Sequence, residues 1–378
     1  MSERVHPGYL VDAVIRAHKV MEAFGHHGEP LRLRDVVERT GFGKNLCFRL
    51  LYTLRHCGIV EKVDVNHYRL VSGDARRRRY RIGYADQTVK DGWLRVVNAG
   101  LIRAAEQANI ELIQVSNQND PKVAVRNARQ LVRQNPDLII EFQIDESVAP
   151  AVAAQYVEAG IPAIAVDIPH PGATFFGANN YHAGLLGGRH LGRWVKSQWR
   201  TPPDEIILIG QPRAGSVVAS RVNGVLAGMY EILPDLAARC PVVHLDGDGQ
   251  YKLAIDRIRK HLRGSKAKSV LVGCVNDASA LAAVRAFQEA GRGECCAVVG
   301  QNAEPDARME LRQPRTPLVA SVGYFPERYG DALIHLALDI LGGKAVPPAV
   351  FVKHQVITPE NVDHYYPNDA LLPAQPSY

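Results

Sequence analysis

Seven side chains of this 378-residue chain recur at one kind of place, just past a short apolar run. Asp91 and Trp93 follow "RIGYA", Asp167 closes "PAIAVD", and Asn276 follows "VLVGCV". Asn302 follows "AVVGQ", Tyr324 follows "VASVG", and Arg221 lies in the helical stretch after "LIGQPRAGS". Taken singly, each is an ordinary helix cap or surface polar group. Together, carboxylates, carboxamides and a guanidinium around an aromatic plane have the chemistry to hold a polyhydroxyl compound. Each polar group takes a pair of hydroxyls, and the apolar face of a ring packs on the aromatic side chain.

A second set lies in "GFGKNLCFRLLYTLRHCGIVEK", residues 41–62. At 100° per residue, Leu46, Cys47, Leu50, Leu51 and Leu54 share one arc of a helix and must face a core. Asn45, Phe48, Arg49, Tyr52 and Arg55 fall on the opposite arc. That outward face suits a major groove: Arg49 can fork onto guanine, Asn45 onto adenine, and Phe48 can touch a thymine methyl. Lys44, at the helix start, would meet phosphate.

Other chemistries lack their residues. There is no GxxxxGK[ST], no HExxH and no Ser-His-Asp arrangement. "GLLGG" (184–188) is not a GxGxxG following a strand and suits close helix packing instead. His26–His27 and the other histidines lack partners at metal-ligand spacing. The six cysteines form no CxxC pair, and Cys295–Cys296 head an apolar run as buried, inert thiols. The expectation is a protein without cofactor, metal or catalytic role.

The elements that must carry these residues differ between head and body. "DAVIRAHKVMEAF" (12–24) is apolar at helical spacing, "LRLRDVVERTG" (31–41) is a short second helix, and the stretch above is the third. "IVEKVDVNHYRL" (59–70) gives two strands around an Asp-Val-Asn turn. Three helices and a two-stranded wing make a winged helix-turn-helix. From Arg81 onward, apolar runs alternate with helical stretches: 110–116, 137–142, 162–167, then about 205–210, 241–245, 269–273, 296–300 and 317–322. That rhythm means βαβ units and parallel sheets. There are too many units for one sheet, so two lobes are expected, with ligand beyond the carboxyl ends of the strands.

Composition agrees with a soluble chain: 46% of residues are hydrophobic and 22% charged. No apolar run approaches a membrane span, and the opening residues lack the apolar core of a signal peptide, so the cytoplasm is expected. Residues 1–79 hold 15 Lys+Arg against 9 Asp+Glu, and the remainder holds 30 against 30. The whole +6 excess therefore sits in the head, which calls for a polyanionic partner there alone. "SGDARRRRYR" (72–81) either adds phosphate contacts through Arg76–Arg79 or is a solvated linker. The expected division is a DNA-binding domain at 1–72, a basic linker at 73–80, a two-lobed sensor at 81–365 and a tail at 366–378.

Residues 10–70, from "YLVDAVIRAHKVMEAF" through "LRDVVERTGFGKNLCFRLLYTLRHCGIVEK" to "YRL", resemble the winged helix-turn-helix of IclR-type transcription regulators. That family carries small Ser/Thr residues where this chain has Asn45, Leu46 and Cys47, so operator sequence does not carry over. The body resembles type I periplasmic-binding-protein domains, especially the ribose-binding group and the sensors of LacI-type repressors. The landmarks are "NQNDP", "PDLIIEF", "AGIPAIAVD", "GANNYHAGLLGG", "VNDASALAAVRAFQEAG", "VVGQN" and "ITPENVDHYY". This resemblance implies two lobes joined by crossings near residues 181, 323 and 352. It also implies sugar-contact roles for Asp91, Trp93, Asp167, Arg221, Asn276, Asn302 and Tyr324. Trp93–Leu94 stand where two phenylalanines are usual, Ile168 replaces an arginine, Asn302 an aspartate and Tyr324 a glutamine, so ribose itself does not carry over.

The combined expectation is a cytoplasmic, homodimeric transcription regulator. It would bind a double-stranded operator and answer to a sugar, sugar acid or sugar phosphate, with no membrane partner. The alternative is a solute-binding protein of a transport system, which leaves the basic head unexplained.

Overall fold

In a computed structural model of the chain, residues 11–25, 29–71, 79–88 and 92–369 are described. The chain divides into two compact units that meet between Arg79 and Tyr80. The first unit contains helices Asp12–Glu22, Leu33–Thr40 and Lys44–His56. Its strands are β1 (Leu31–Arg32), β2 (Val60–Lys62) and β3 (His67–Leu70), in the order β1-β3-β2 and all antiparallel. Val20, Phe24, Leu31, Val36, Cys47, Leu51, Leu54 and Val60 form its core. Arg39 clamps the second helix to the end of the first: its guanidinium donates to the Ala23 carbonyl at 2.7 Å and to both Glu29 carboxylate oxygens at 2.9 and 2.7 Å. The wing turn is fixed by Asp64 Oδ1, which accepts from the Asn66 and His67 amides at 2.8 and 2.9 Å.

One expectation is corrected here. Leu31 and Arg32 are not the start of the second helix but a strand paired with β3, so the wing sheet has three strands. Leu31 is drawn into the core, and Arg32 stays extended (φ −81°, ψ 159°) with its amide donating to Asp35 Oδ2 at 2.8 Å. Core burial and the first-turn aspartate override the helical spacing.

The second unit is two parallel-sheet lobes. The first lobe has β4 (Arg81–Asp86), β5 (Glu111–Ser116), β6 (Leu138–Glu141), β7 (Ala163–Val166), β8 (Thr174–Gly177) and β14 (Ala349–Phe351), in the order β14-β8-β7-β6-β4-β5. The second has β9 (Glu205–Gly210), β10 (Val242–Asp246), β11 (Val270–Cys274), β12 (Cys296–Asn302), β13 (Leu318–Gly323) and β15 (Gln355–Ile357), in the order β10-β9-β11-β12-β13-β15. All pairs in this unit are parallel except β13–β15. Strands β6, β11 and β13 are buried throughout, because helices cover both faces. The chain crosses between lobes three times: after Gly177 into helix Asn180–Gln198, after Gly323 toward helix Tyr329–Leu341, and between Phe351 and Gln355. Strands β8, β14 and β15 carry no periodic signal at three or four residues each, and all three border a crossing.

Helix Asn180–Gln198 lies against helix Gly215–Ile232 with their backbones in contact. A Cβ on Gly184 would overlap the Arg221 carbonyl, and one on Gly188 that of Val225. From the other side, Gly224 meets the Tyr181 carbonyl and Gly228 that of Leu185. "GLLGG" is therefore a packing surface. Gly330, in helix Tyr329–Leu341, meets the Gly100 backbone of helix Gly92–Gln107 in the same way.

Gly188→Ala should therefore force the two helices apart and cost about 1–3 kcal/mol. Gly210→Ala, with open space around the added carbon, should cost little. Thermal unfolding of the two variants checks this: the first should melt several degrees below the parent, and the second beside it.

Candidate ligand cleft and nucleic-acid interface

In the head, Gly43 leads into helix Lys44–His56 in extended backbone, and no acidic residue occupies the first turn. Cys47, Leu51 and Leu54 turn into the core, which leaves Lys44, Asn45, Phe48, Arg49 and Tyr52 exposed on the opposite face. The Phe48 and Tyr52 rings lie 6.5 Å apart, a small aromatic step among cations. Sixty-five per cent of Tyr52 is exposed, which is unusual for a ring of that size unless it meets a partner. Arg76–Arg78 of the basic stretch lie outside the described residues.

In the body, six of the seven expected ligand residues line one cavity of about 180 Å³: Trp93, Asp167, Arg221, Asn276, Asn302 and Tyr324. Asp91 lies outside the described residues. Trp93 and Asp167 come from the first lobe, Arg221, Asn276 and Asn302 from the second, and Tyr324 from the second crossing. Trp93 is fixed edge-on by Tyr329 and Phe142, with centroids 5.1 and 6.0 Å away. The lobes also meet beside the cavity. Ala149 and Ile168 of the first pack with Ala214 and Val218 of the second, and the Ser216 amide donates to Glu146 Oε2 at 3.3 Å.

Arg221 is the hub. Its Nε donates to Asn180 Oδ1 at 2.8 Å and its Nη1 to the Val275 carbonyl at 2.7 Å, while the guanidinium sits 5.0 Å above the Tyr324 ring. The Tyr324 hydroxyl donates to Gln301 Oε1 at 2.8 Å, and its ring meets His354 edge-on at 4.9 Å. His354 Nε2 accepts from the Asn179 amide at 3.1 Å. Burial, then the Arg221 charge, hold this imidazole down at about 4. Asp167 is partly exposed yet ringed by protein, and desolvation lifts its carboxyl to about 6 against the pull of Arg221 and the Ala178 amide.

Asn276 does what a residue after a strand commonly does: its Oδ1 caps helix Asp277–Glu289 through the Ser279 amide at 3.0 Å. Its Nδ2 donates to the Gly249 carbonyl at 2.8 Å, which ties it to a neighbouring loop of the cavity wall. Asn302 (φ 106°) and Ala303 (φ 53°) lie in the left-handed region, strain that the surroundings must hold. Fully buried Asp277 holds it: Oδ1 accepts from the Ser321 hydroxyl at 2.6 Å and Oδ2 from the Glu304 amide at 2.7 Å. Ser321 Oγ in turn accepts from the Ala303 amide at 2.9 Å. Desolvation raises Asp277 to about 7 despite these bonds.

Sequence reasoning missed Gln87, Asn119, Gln211, Arg213, Asp248 and Glu304, which also line the cavity. Five of them stand one to three residues past β4, β5, β9, β10 and β12. The strand-end criterion that singled out the others therefore applies to them as well.

The family description "Periplasmic binding protein domain" matches residues 82–345, and "IclR helix-turn-helix domain" matches residues 13–64. No curated protein sequence matches the chain. Among solved structures, one similar fold is an ABC transporter periplasmic solute binding protein from Actinobacillus succinogenes with bound D-allose. It has 21% identity, covers 76% of this chain and 100% of that one, and has a TM-score of 0.66. An ABC transporter solute binding protein from Bacillus halodurans with bound myo-inositol has 21% identity, covers 78% and 99%, and has a TM-score of 0.67. Another from Agrobacterium vitis with bound allitol has 17% identity, covers 76% and 98%, and has a TM-score of 0.68. At these identities the likeness is one of fold. Among the described residues, no group of three or more His, Cys, Asp or Glu could hold a metal, and no helix is long and apolar enough to cross a membrane.

The raised Asp167 carboxyl sets a pH signature. The folded state binds a proton that the unfolded chain releases, so this contribution to stability is complete below about pH 4 and lost as pH rises through about 6. Asp167→Asn should remove it, flattening the stability of the ligand-free protein between pH 4 and 7 by about 2 kcal/mol relative to the parent. Urea melts across that range measure the difference.

Proposed function

Since the chain belongs to the periplasmic binding protein domain family and carries an IclR helix-turn-helix domain at its N-terminus, we propose that it is a cytoplasmic transcription regulator governed by a sugar or sugar derivative. One observation carries this reading. A basic helix face with exposed Arg49, Phe48 and Tyr52 and a polar–aromatic cleft between two lobes occur in the same chain. The solute-binding alternative draws on the neighbours, which are transport proteins holding polyhydroxyl compounds. It gives the head no task.

In this reading, helix Lys44–His56 enters the major groove. Arg49 and Asn45 address base edges, Phe48 reaches a thymine methyl, and Lys44 and Tyr52 meet the backbone. A single small head buries little DNA, so two chains pair and read two half-sites. In the cleft, Trp93 offers an apolar plane to the ring of the effector, and Asp167, Arg221, Asn276 and Asn302 take its hydroxyls. A ligand gripped from both lobes favours their closed arrangement by its differential affinity for the two states. In a homodimer, a change in lobe angle becomes a change in the spacing of the half-site readers, which couples effector to operator.

Two variants separate the roles. Arg49→Ala should weaken operator binding by about 1–3 kcal/mol in a gel shift and leave the effector response intact. Asp167→Ala should keep DNA binding and lose the response. Effector at a hundred times its dissociation constant should add about 2.7 kcal/mol to the folded body, read as a raised melting temperature. A protein that shifts no genomic fragment at low salt would defeat the regulator reading in favour of solute binding.

A further inference from the structure

The described lining of the cleft holds three carboxylates, Asp167, Asp248 and Glu304, against two guanidiniums, Arg213 and Arg221. Both cations are engaged. Arg213 Nε lies 2.5 Å from Asp248 Oδ1. Arg221 is committed to Asn180, the Val275 carbonyl and the Tyr324 ring, and its field falls on Asp167. Lys90 and Asp91, beside Trp93 in sequence, lie outside the described residues and add one charge of each sign. The balance at the wall is negative, and Glu304 supplies the excess.

Glu304 is also firmly placed. Its amide is bonded to Asp277 directly after the strained Asn302–Ala303 pair, and its Oε1 accepts from Asn302 Nδ2 at 2.8 Å. The carboxylate is thus built onto the end of β12, where the resemblance to ribose-binding proteins expects an aspartate and this chain has Asn302. The negative charge has moved two residues along the chain.

We propose that the effector is an uncharged polyhydroxyl compound and that Glu304 is the specificity residue that rejects its acidic and phosphorylated analogues. The inference rests on the sugar-effector reading above and narrows it. A hydroxyl donates to a carboxylate and gains a charge-assisted hydrogen bond. A carboxylate or phosphate in the same place meets a fixed like charge in a partly dehydrated cleft, where repulsion is weakly screened. At about 180 Å³ the cavity holds the liquid volume of about six waters, so a charged substituent has no remote corner to occupy. Specificity here comes from a repulsive element as much as from attraction.

Thermal melts of the full-length protein with D-allose, allitol and myo-inositol, set beside D-allonate and myo-inositol 1-phosphate, test this directly. At least one neutral probe should stabilise the protein, and its anionic counterpart should need about 100-fold more for the same shift. Glu304→Gln, which keeps an acceptor for Asn302, should narrow that ratio by about tenfold. Asp248→Asn, which frees Arg213, should narrow it as well and guards against a fault peculiar to the first variant. An anion that matches or beats its neutral parent overturns the proposal. An unchanged ratio in Glu304→Gln overturns the role of Glu304. Silence from all five probes overturns the sugar-effector reading itself, and this inference falls with it.

Discussion

How closely two helices can approach decides where the cleft's central cation sits. Helices Asn180–Gln198 and Gly215–Ile232 touch backbone to backbone because Gly184, Gly188, Gly224 and Gly228 carry nothing that would hold them apart. Gly184 rests on the carbonyl of Arg221, so the guanidinium leaves the helix at the depth where Asn180 Oδ1 and the Val275 carbonyl can both receive it. Asn180 stands just past the first crossing, Tyr324 on the second and His354 in the third. These residues form a single run of contacts through Arg221 and the Tyr324 ring. The group expected to hold the ligand is therefore bonded to the very segments that must bend if the lobes move.

Desolvation dominates the electrostatics of this region. It is the largest influence on Asp167, Asp277 and His354, and each is pushed toward its neutral form. The same dryness strengthens hydrogen bonds made to polar groups that stay paired. Asp277 illustrates the division of labour. Its buried carboxylate does not line the cavity; it holds the turn that carries Asn302 and Glu304. A ligand wall built on left-handed residues needs such a support, because nothing in their own conformational preference would keep them there.

Much of this was legible in the residues, for reasons that differ by element. The central strands β6, β9, β11 and β13 are covered on both faces, so they show as unbroken apolar runs. The recognition helix shows its two faces because one is buried and the other is not. Arg221, Asp167, Asn302 and Tyr324 could be named because a parallel sheet brings its strand ends to one edge. The hidden parts are those where tertiary context wins. Leu31–Arg32 became a strand through core burial. β8, β14 and β15 are too short for a period to register, and their pairing comes from the chain's return between lobes. Glu304 was passed over because the register slipped by two residues at the strained turn, and no spacing rule anticipates that.

The third crossing carries a consequence for how the body can be divided. Strand β14 completes one sheet beside β8, and only three residues later β15 completes the other beside β13. The match to the family description ends at residue 345, before either strand. A fragment cut there would expose a raw edge on both sheets and leave two tethers where three restrict the swing, so neither lobe is a self-sufficient module and each is finished by the tail of the other.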